Sequence, residues 1–465
     1  MWRLNTVISA IKLFLLISLG LTFLLGQGWL AVGPILHGSL TIKKRNIPLI
    51  QEFPLMLMCG LIINYGMILV FQSLTISLVA GGIISIFGIC CFALSVFRDH
   101  TRQILTSSSM NKWIGISFIC LLFLAPILSE PLTDWDVRSI WFFHAKMIYV
   151  ADTIGQSAGW QQPSVVFSHP DYPNLVPALA AQVAHVMGFW NEYIPKASLI
   201  FMLVPAVAWL FTFARRSFSF VILLLLILFN SFGGASLYNG LMDGYFALYF
   251  SIAMLLLGRY IISSQPIDLV SSLCCLIALL YIKNEGVLAA LIGLCLIIWI
   301  RLLKEKPIRP KTFFFMKWKY YLAVVIALIP FALWTLYKRQ WGLSNDLGIG
   351  TTQSFLRIIS RLTDGSYRLV FQGVYVQIGG ALLLLGLLYF ASVALNKSFV
   401  KESLPALTAA GIFCLGTIII YLLTPYDLGW ALSSSIDRTM LSVNWCIFIG
   451  CYYILNSIEN NESVP

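Results

Sequence analysis

Two aspartates in the segment Asp134-Trp135-Asp136 are the residues of this chain best suited to acid–base chemistry. They directly follow an apolar stretch and precede a helical pattern over 137–150, so the sequence predicts them at a membrane surface. A carboxylate there can take the proton of a hydroxyl group or bind a divalent cation. Carboxylates also favour the first turn of a helix because of its dipole, which is an alternative, structural interpretation.

The helix predicted after these aspartates is amphipathic. Arg138, Phe142 and Lys146 recur at i, i+4 and i+8 and so share one face. Such a helix lies along the membrane interface with its cations toward the headgroups. It anchors the chain, forms the wall of a site that receives a lipid phosphate, or does both. Its apolar positions are Ile140, Trp141, Phe143, Met147 and Ile148.

A proline-rich turn, His169-Pro170-Asp171-Tyr172-Pro173, precedes a second apolar helix. His169 titrates near neutral pH and can act as acid, base or phosphate contact. A lone histidine beside proline is also a common turn residue. We expect His169, Asp171 and Tyr172 to bind substrate.

Ionisable residues also stand at the ends of later apolar stretches: Asp243 in LYNGLMDGYF, Lys283 and Glu285 in YIKNEGV, and Arg438 after SSSID. Charged side chains at such positions commonly extend to the membrane surface, so each is a weak signal by itself. An arginine can bind a phosphate through two parallel hydrogen bonds, whereas a lysine acts as a point charge.

The elements that must position these residues are membrane helices. Of 465 residues, 59% are hydrophobic and only 11% are charged, whereas a soluble domain has about a quarter charged residues. The net charge of +11 resides in short loops, as topology signals do, so nucleic acid is not an expected partner. All ten cysteines fall in apolar segments without CxxC spacing, which favours packing over disulfides or zinc ligation.

The apolar runs predict an all-α polytopic membrane protein with about thirteen transmembrane helices. Each run can cross a hydrocarbon core of about 30 Å. The predicted spans are 7–29, 53–73, 76–96, 113–129, 195–213, 217–234, 243–261, 267–282, 286–302, 320–337, 373–395, 404–423 and 440–456.

Basic residues fall in alternate loops, which the positive-inside rule assigns to the cytoplasm. The largest of the other loops, 130–194, and every candidate residue above then lie on the non-cytoplasmic face. From the size and style of the chain we expect an integral protein of a bacterial inner membrane with its site facing the periplasm or exterior; in a eukaryotic equivalent the site would face the ER lumen. The cytoplasmic basic residues are Lys43, Lys44, Arg45, Arg98, Arg102, Lys112, Arg215, Arg216, Arg259, Lys304, Lys306, Arg309, Lys311, Lys317, Lys319, Lys397 and Lys401.

The order of these features resembles the GT-C superfamily of membrane glycosyltransferases, which includes the lipid A aminoarabinose transferase, protein O-mannosyltransferases and rhizobial lipopolysaccharide glycosyltransferases. Members typically carry an acidic pair at the start of a large outer loop, then an interfacial helix, as in DWDVRSIWFFHAKMIY. SHPDYPNLVPALAAQV resembles their His-Pro-Pro-Leu-like element, LMDGYFALYF their Ala-Asp-x-Pro-like context, and IKNEGVLAAL their Lys-x-Glu-Gly-type turn. SSSIDRTML matches their late arginine.

The resemblance covers residues 113–456 and departs from the family in two ways. The acidic pair follows the fourth span instead of the first, so residues 1–112 are expected to be an N-terminal three-helix addition to a catalytic membrane domain, 113–465. Trp135 also splits the acidic pair, which leaves either aspartate as the base.

The resemblance implies transfer of a sugar, with inversion, from a polyprenyl-phosphate carrier to a hydroxyl group of a lipid, glycan or protein. Asp134 or Asp136 would be the catalytic base, and Arg438, Lys283 and Arg138 would bind the donor phosphate. No cofactor is required, although a divalent cation is compatible. The implied substrate-binding residues are His169, Asp171, Tyr172, Asp243, Glu285 and Lys146.

Two other classes of function stay open. A transporter or lipid flippase would place ionisable residues near the bilayer midplane and often contains paired repeats, yet apart from Lys12 the predicted spans carry charge only near their ends. An O-antigen polymerase or ligase also uses outer-face arginines and lipid-linked donors. The early acidic loop and the HPDYP element favour GT-C over that alternative.

Overall fold

The computed structural model describes residues 2–38, 47–98, 107–214, 217–229, 231–304, 318–344, 352–395 and 400–461, and these ranges are mainly helical. The helices in chain order are α1 (Trp2–Val32), α2 (Leu49–Phe71), α3 (Leu74–Arg98), α4 (Ser107–Ser129), α5 (Phe142–Ala151), α6 (Leu175–Met187), α7 (Ser198–Phe211), α8 (Phe218–Leu228), α9 (Ser231–Ser236), α10 (Met242–Ser263), α11 (Pro266–Ile282), α12 (Gly286–Lys304), α13 (Trp318–Gln340), α14 (Thr352–Thr363), α15 (Tyr367–Ala394), α16 (Leu404–Leu423) and α17 (Leu428–Asn461).

Eleven helices among the described residues are long and apolar enough to cross a membrane. The chain is therefore a polytopic, helical membrane protein, as the composition predicts. Two predicted spans, 217–234 and 267–282, correspond to shorter helices: α8 has 11 residues and α11 has 17. At 1.5 Å per residue these measure about 17 and 26 Å, less than a core of about 30 Å. The number of thirteen spans stays a prediction.

The chain divides into two compact units. The first comprises residues 1–213, 237–241 and 305–343, and the second comprises 214–236, 242–304 and 344–465. The expected division at residue 112 stays a prediction, as does the assignment of loops to membrane faces. Several residues behind that assignment lie outside the described residues: Lys43, Lys44, Arg45, Arg102, Arg215, Arg216, Lys306, Arg309, Lys311, Lys317 and Lys397.

In the first unit, α1 packs closely on α2 because glycines remove the side chains between the two helices. A Cβ atom on Gly28 or Gly60 would overlap the backbone of the facing helix, and small residues commonly permit such contacts between membrane helices. The loop 130–194 contains α5 and α6, as the sequence predicts. Asn64 of α2 and Gln182 of α6 exchange two hydrogen bonds, of 2.7 and 3.3 Å, which fix α6 to the membrane helices.

In the second unit, α10 forms the centre and is buried from Met242 to Gly258. It packs against α11, α16 and α17. All ten cysteines of the chain are free thiols, and Cys90 and Cys295 are exposed on their helices while the others are buried or half-buried. Eight of the cysteines therefore pack within the protein, as predicted, whereas the side chains of Cys90 and Cys295 are exposed.

Candidate functional site

The carboxylate of Asp134 has a fixed hydrogen-bond donor. Asn239 Nδ2 donates to Asp134 Oδ2 at 2.9 Å, and Asn239 Oδ1 accepts the backbone N–H of Leu241 at 2.9 Å. Because Leu241 takes the carbonyl end of the amide, the NH₂ end must point at Asp134. Asp134 Oδ2 is therefore held as an acceptor in a defined orientation.

Asp136 lies at the start of the helical segment after Asp134. One π-type turn, Val137–Trp141, precedes α5, and the Asp136 side chain makes no capping hydrogen bond to it. Asp136 nevertheless stands immediately before this turn, so the structural interpretation, in which the helix dipole favours its carboxylate, stays open. Trp135 between the two aspartates is 71% exposed.

The amphipathic pattern of this segment is confirmed with one exception. Arg138 and Lys146 are exposed, while Ile140 and Ile148 are buried. Phe142, which the spacing places with the two cations, is instead buried. A Cβ atom on Gly240 would lie only 3.0 Å from the Phe142 ring. The segment around Gly240, distant in sequence, therefore covers this part of the polar face.

The predicted turn at His169 packs against the helical segment 137–151 through aromatic contacts. The His169 ring stacks on Tyr172 with centroids 5.3 Å apart, and Tyr172 contacts Trp141 at 5.6 Å. Asp171 is buried, and its backbone carbonyl accepts a hydrogen bond from Trp334 Nε1 at 3.3 Å. The structure thus brings His169 and Tyr172 together against the helical segment that follows Asp136.

A buried histidine, His144, holds this turn in place, and sequence reasoning missed it. Its Nδ1 lies 3.0 Å from Asn174 Oδ1, and its Nε2 lies 3.1 Å from Ser168 Oγ. Asn174 in turn donates its backbone N–H to the Tyr65 hydroxyl at 3.2 Å. Ser168 and Asn174 flank the His169 turn, so the imidazole ties both of its ends to α5.

His144 should make the first unit less stable in acid. The pKa of His144 is lowered from 6.5 to about 4, chiefly by burial; the bonds to Asn174 and Ser168 act against this shift, and the nearby His169 contributes to it. Below pH 6.5 His144 binds a proton in the unfolded chain, whereas in the folded chain it stays neutral down to about pH 4. Unfolding is therefore favoured as the pH falls through this window, by up to about 3 kcal/mol.

The measurement is the thermal unfolding midpoint of the purified protein in detergent, followed from neutral pH to about pH 4. His144→Gln keeps a hydrogen-bonding side chain without a titrating group, so its midpoint is expected to fall less steeply with acid. Parallel pH dependences of the wild type and the variant would contradict this role of His144.

Lys196 is a second buried residue that the sequence did not single out. Its Nζ donates to the backbone carbonyl of Glu130 at 2.8 Å, immediately after α4 ends at Ser129. A cation at this position interacts favourably with the negative end of the helix dipole. The contact fixes the point from which the chain leaves α4 toward Asp134.

The second unit contains a cluster of four ionisable residues, Asp243, Lys283, Glu285 and Arg438, called the Lys283 cluster below. Lys283 Nζ lies 2.9 Å from Asp243 Oδ1 and 3.1 Å from Glu285 Oε1. The Lys283 and Asp243 side chains are 11% and 7% exposed. Arg438 lies close enough to Asp243 to act on it electrostatically.

Local sequence explains how the Lys283 cluster forms. Asp243 is in the first turn of α10, and Lys283 and Glu285 lie in the tight turn between α11 and α12. The backbone N–H of Gly286 closes that turn by donating a hydrogen bond of 3.0 Å to the Lys283 carbonyl. A Cβ atom on Gly286 would overlap the backbone of Leu279, so the turn requires glycine.

Polar groups of α16 and α17 surround the same cluster. The Tyr421 hydroxyl bonds to Ser435 Oγ at 2.8 Å and to Thr439 Oγ1 at 3.1 Å. Lys283 and Arg438 both lie within electrostatic reach of Tyr421. Tyr421 was missed because a tyrosine near the end of an apolar run is also an ordinary interfacial residue.

The predicted site residues therefore fall into one group in each unit. The first unit holds Asp134, Asp136, Arg138, Lys146, His169, Asp171 and Tyr172, and the second holds Asp243, Lys283, Glu285 and Arg438. Among the described residues, no group of three or more His, Cys, Asp or Glu side chains is arranged to hold a metal ion. The compatibility with a divalent cation stays a prediction.

Comparisons of the chain with protein-family models, curated proteins and solved structures gave no match. The GT-C resemblance therefore rests on the order of its motifs alone.

Proposed function

We propose that this protein is a membrane glycosyltransferase that moves a sugar from a polyprenyl-phosphate carrier to a hydroxyl acceptor on the non-cytoplasmic face. The observation that carries the proposal is the location of the buried ionisable groups. Among the described apolar helices, Glu52, Asp243 and Asp268 are buried in the first turns of α2, α10 and α11, and Lys196 is buried just before α7 begins. A transporter typically needs such groups near the bilayer midplane.

Arg438 fits this distribution although it lies inside α17. That helix has 34 residues and measures about 51 Å, well beyond a hydrocarbon core of about 30 Å. Its apolar part begins just after Arg438, and the turns before it carry Ser433, Ser434 and Ser435. This supports a position for Arg438 at the membrane surface, where the phosphate of a lipid carrier resides.

The proposed reaction is a single in-line displacement at the anomeric carbon. The acceptor oxygen forms a bond to that carbon while the bond to the carrier phosphate oxygen breaks. Asp134 or Asp136 takes the acceptor proton, which contributes typically about 10²–10⁴ to the rate. Lys283 and Arg438 stabilise the charge that develops on the departing lipid phosphate.

The remaining candidates bind the two substrates. Arg138 and Lys146 are exposed cations on one segment and suit the headgroup region, where they attract the donor phosphate. His169 and Tyr172 present a stacked aromatic pair that can contact a sugar. Asp171, Asp243 and Glu285 also bind or position the substrates.

The acceptor is a lipid, a glycan or a protein, and the protein would work in a bacterial inner membrane.

The test is sugar transfer by the purified protein in phospholipid vesicles. A panel of radiolabelled polyprenyl-phosphate sugars is supplied with a membrane extract as the source of acceptors. Label is expected to move from the carrier to an acceptor. The control is Glu192→Gln, which removes an exposed carboxylate of the loop 130–194 that also contains Asp134; it should transfer sugar at the wild-type rate.

Two outcomes would contradict the proposal. Folded protein that transfers no sugar from any donor, but moves labelled polyprenyl phosphate across the vesicle membrane, would be a transporter or flippase. Transfer only of whole oligosaccharides from pyrophosphate-linked donors would instead indicate an O-antigen polymerase or ligase.

A further inference from the structure

Helix α14 has an exposed apolar face. Phe355, Leu356, Ile359 and Leu362 are 63%, 57%, 44% and 51% exposed. Their spacing at i, i+1, i+4 and i+7 places them on one side of the helix. Four adjacent large apolar side chains would be costly to expose to water.

The opposite face of α14 packs against the protein and is polar. Ser354 is buried, and the Arg361 guanidinium donates to two backbone carbonyls, Tyr421 at 2.6 Å and Tyr426 at 3.0 Å. Amphipathic helices in soluble proteins turn their apolar face to the core. In α14 this orientation is reversed, so the medium outside the apolar face must itself be apolar.

The partners of Arg361 fix the position of α14 along the membrane helices. Tyr421 lies in the last turn of α16, which ends at Leu423, and Tyr426 lies just before α17 begins at Leu428. Both α16 and α17 are long enough to span a membrane. The carbonyls that hold Arg361 are therefore at helix ends, where the hydrocarbon core meets the headgroups.

The chain after α14 continues the same apolar surface. Helix α15 begins at Tyr367, four residues after Thr363, and is also a candidate span. Leu369 and Phe371 in its first turns are exposed. The apolar face of α14 is thus continuous in sequence with a helix that enters the bilayer.

We propose that α14 is an interfacial helix whose apolar face is covered by the acyl chains of bilayer phospholipids. Arg361 ties it to the end of α16, and Phe355, Leu356, Ile359 and Leu362 insert below the headgroups. Amphipathic helices at membrane surfaces bury their apolar face about 5–10 Å into this boundary. This inference does not depend on the proposed transferase activity.

The test introduces the photocrosslinking residue p-benzoyl-phenylalanine into the full-length protein in phospholipid nanodiscs. Position Phe355 lies on the apolar face, and Ile359 is a second position there in case one variant folds poorly. Gln353 is exposed and serves as the matched control, since a two-residue offset places it about 200° around the helix from Phe355. Lipid adducts are counted by mass spectrometry of the α14 peptide.

Phospholipid acyl-chain adducts at Phe355 and Ile359, several-fold more abundant than at Gln353, are the expected result. Equal lipid labelling at all three positions would overturn the proposal, because it would mean that the helix has no preferred lipid face. Adducts to a second copy of the chain at Phe355 and Ile359 would overturn it too and assign the face to a dimer interface.

Discussion

Replacing Lys283 with methionine is expected to abolish measurable sugar transfer and to destabilise the protein. Lys283 neutralises Asp243, and both side chains are largely buried, with 11% and 7% exposure. Removing one partner of a buried ion pair leaves an uncompensated charge, which typically costs about 3–5 kcal/mol. Loss of a cation that stabilises developing phosphate charge lowers the rate by a further factor of about 10²–10³.

The double variant Lys283→Met/Asp243→Asn separates these two effects. The double variant removes both charges of the buried pair, and the remaining partner of Lys283, Glu285, is 27% exposed, so the thermal unfolding midpoint is expected to recover most of its wild-type value. Transfer is expected to stay lost, because the donor phosphate would still lack the cation that the proposed mechanism assigns to it. Lys401→Met, an exposed site in the same unit, is the control and should retain both stability and activity. Wild-type transfer by the double variant would show that Lys283 is only structural.

Features that depend on one stretch of chain were accessible from sequence. The eleven long helices follow from apolar runs, because backbone groups in a bilayer must be satisfied within the helix. The exposed Arg138 and Lys146 likewise follow from helical spacing. The last helix was predicted from residue 440 but begins at Leu428, since its polar first turns lack the apolar signal on which a predicted span depends.

Features that depend on contacts between distant segments were not accessible. The Phe142 ring packs beside Gly240, and the donor to Asp134 is Asn239, 105 residues away. Asn174 meets Tyr65 across 109 residues. An isolated Asn or Tyr carries no sign of such a partner, so the supports of Asp134 and of the His169 turn appear only in the folded chain.

Asp134→Asn is expected to lower the rate of transfer by about 10²–10⁴, the usual contribution of a general base. The variant should fold normally. In the wild type, Asn239 Nδ2 donates to Asp134 Oδ2 at 2.9 Å, and the amide oxygen of the new asparagine can accept the same hydrogen bond. Asn239→Ala leaves the carboxylate but removes its fixed donor. We therefore expect a lower kcat with a nearly unchanged KM for the donor, since in the proposed mechanism Asn239 acts only by orienting the base.

Parallel assays of Asp136→Asn distinguish the two aspartates, with Glu192→Gln as the exposed control from the same loop. We expect Asp136→Asn to keep more activity than Asp134→Asn, because the fixed amide of Asn239 holds Asp134 ready to accept a proton from a hydroxyl group. The reverse ranking would assign the base to Asp136. If both variants transfer sugar at the wild-type rate, neither carboxylate takes the acceptor proton, and the reaction must depend on a base elsewhere in the chain.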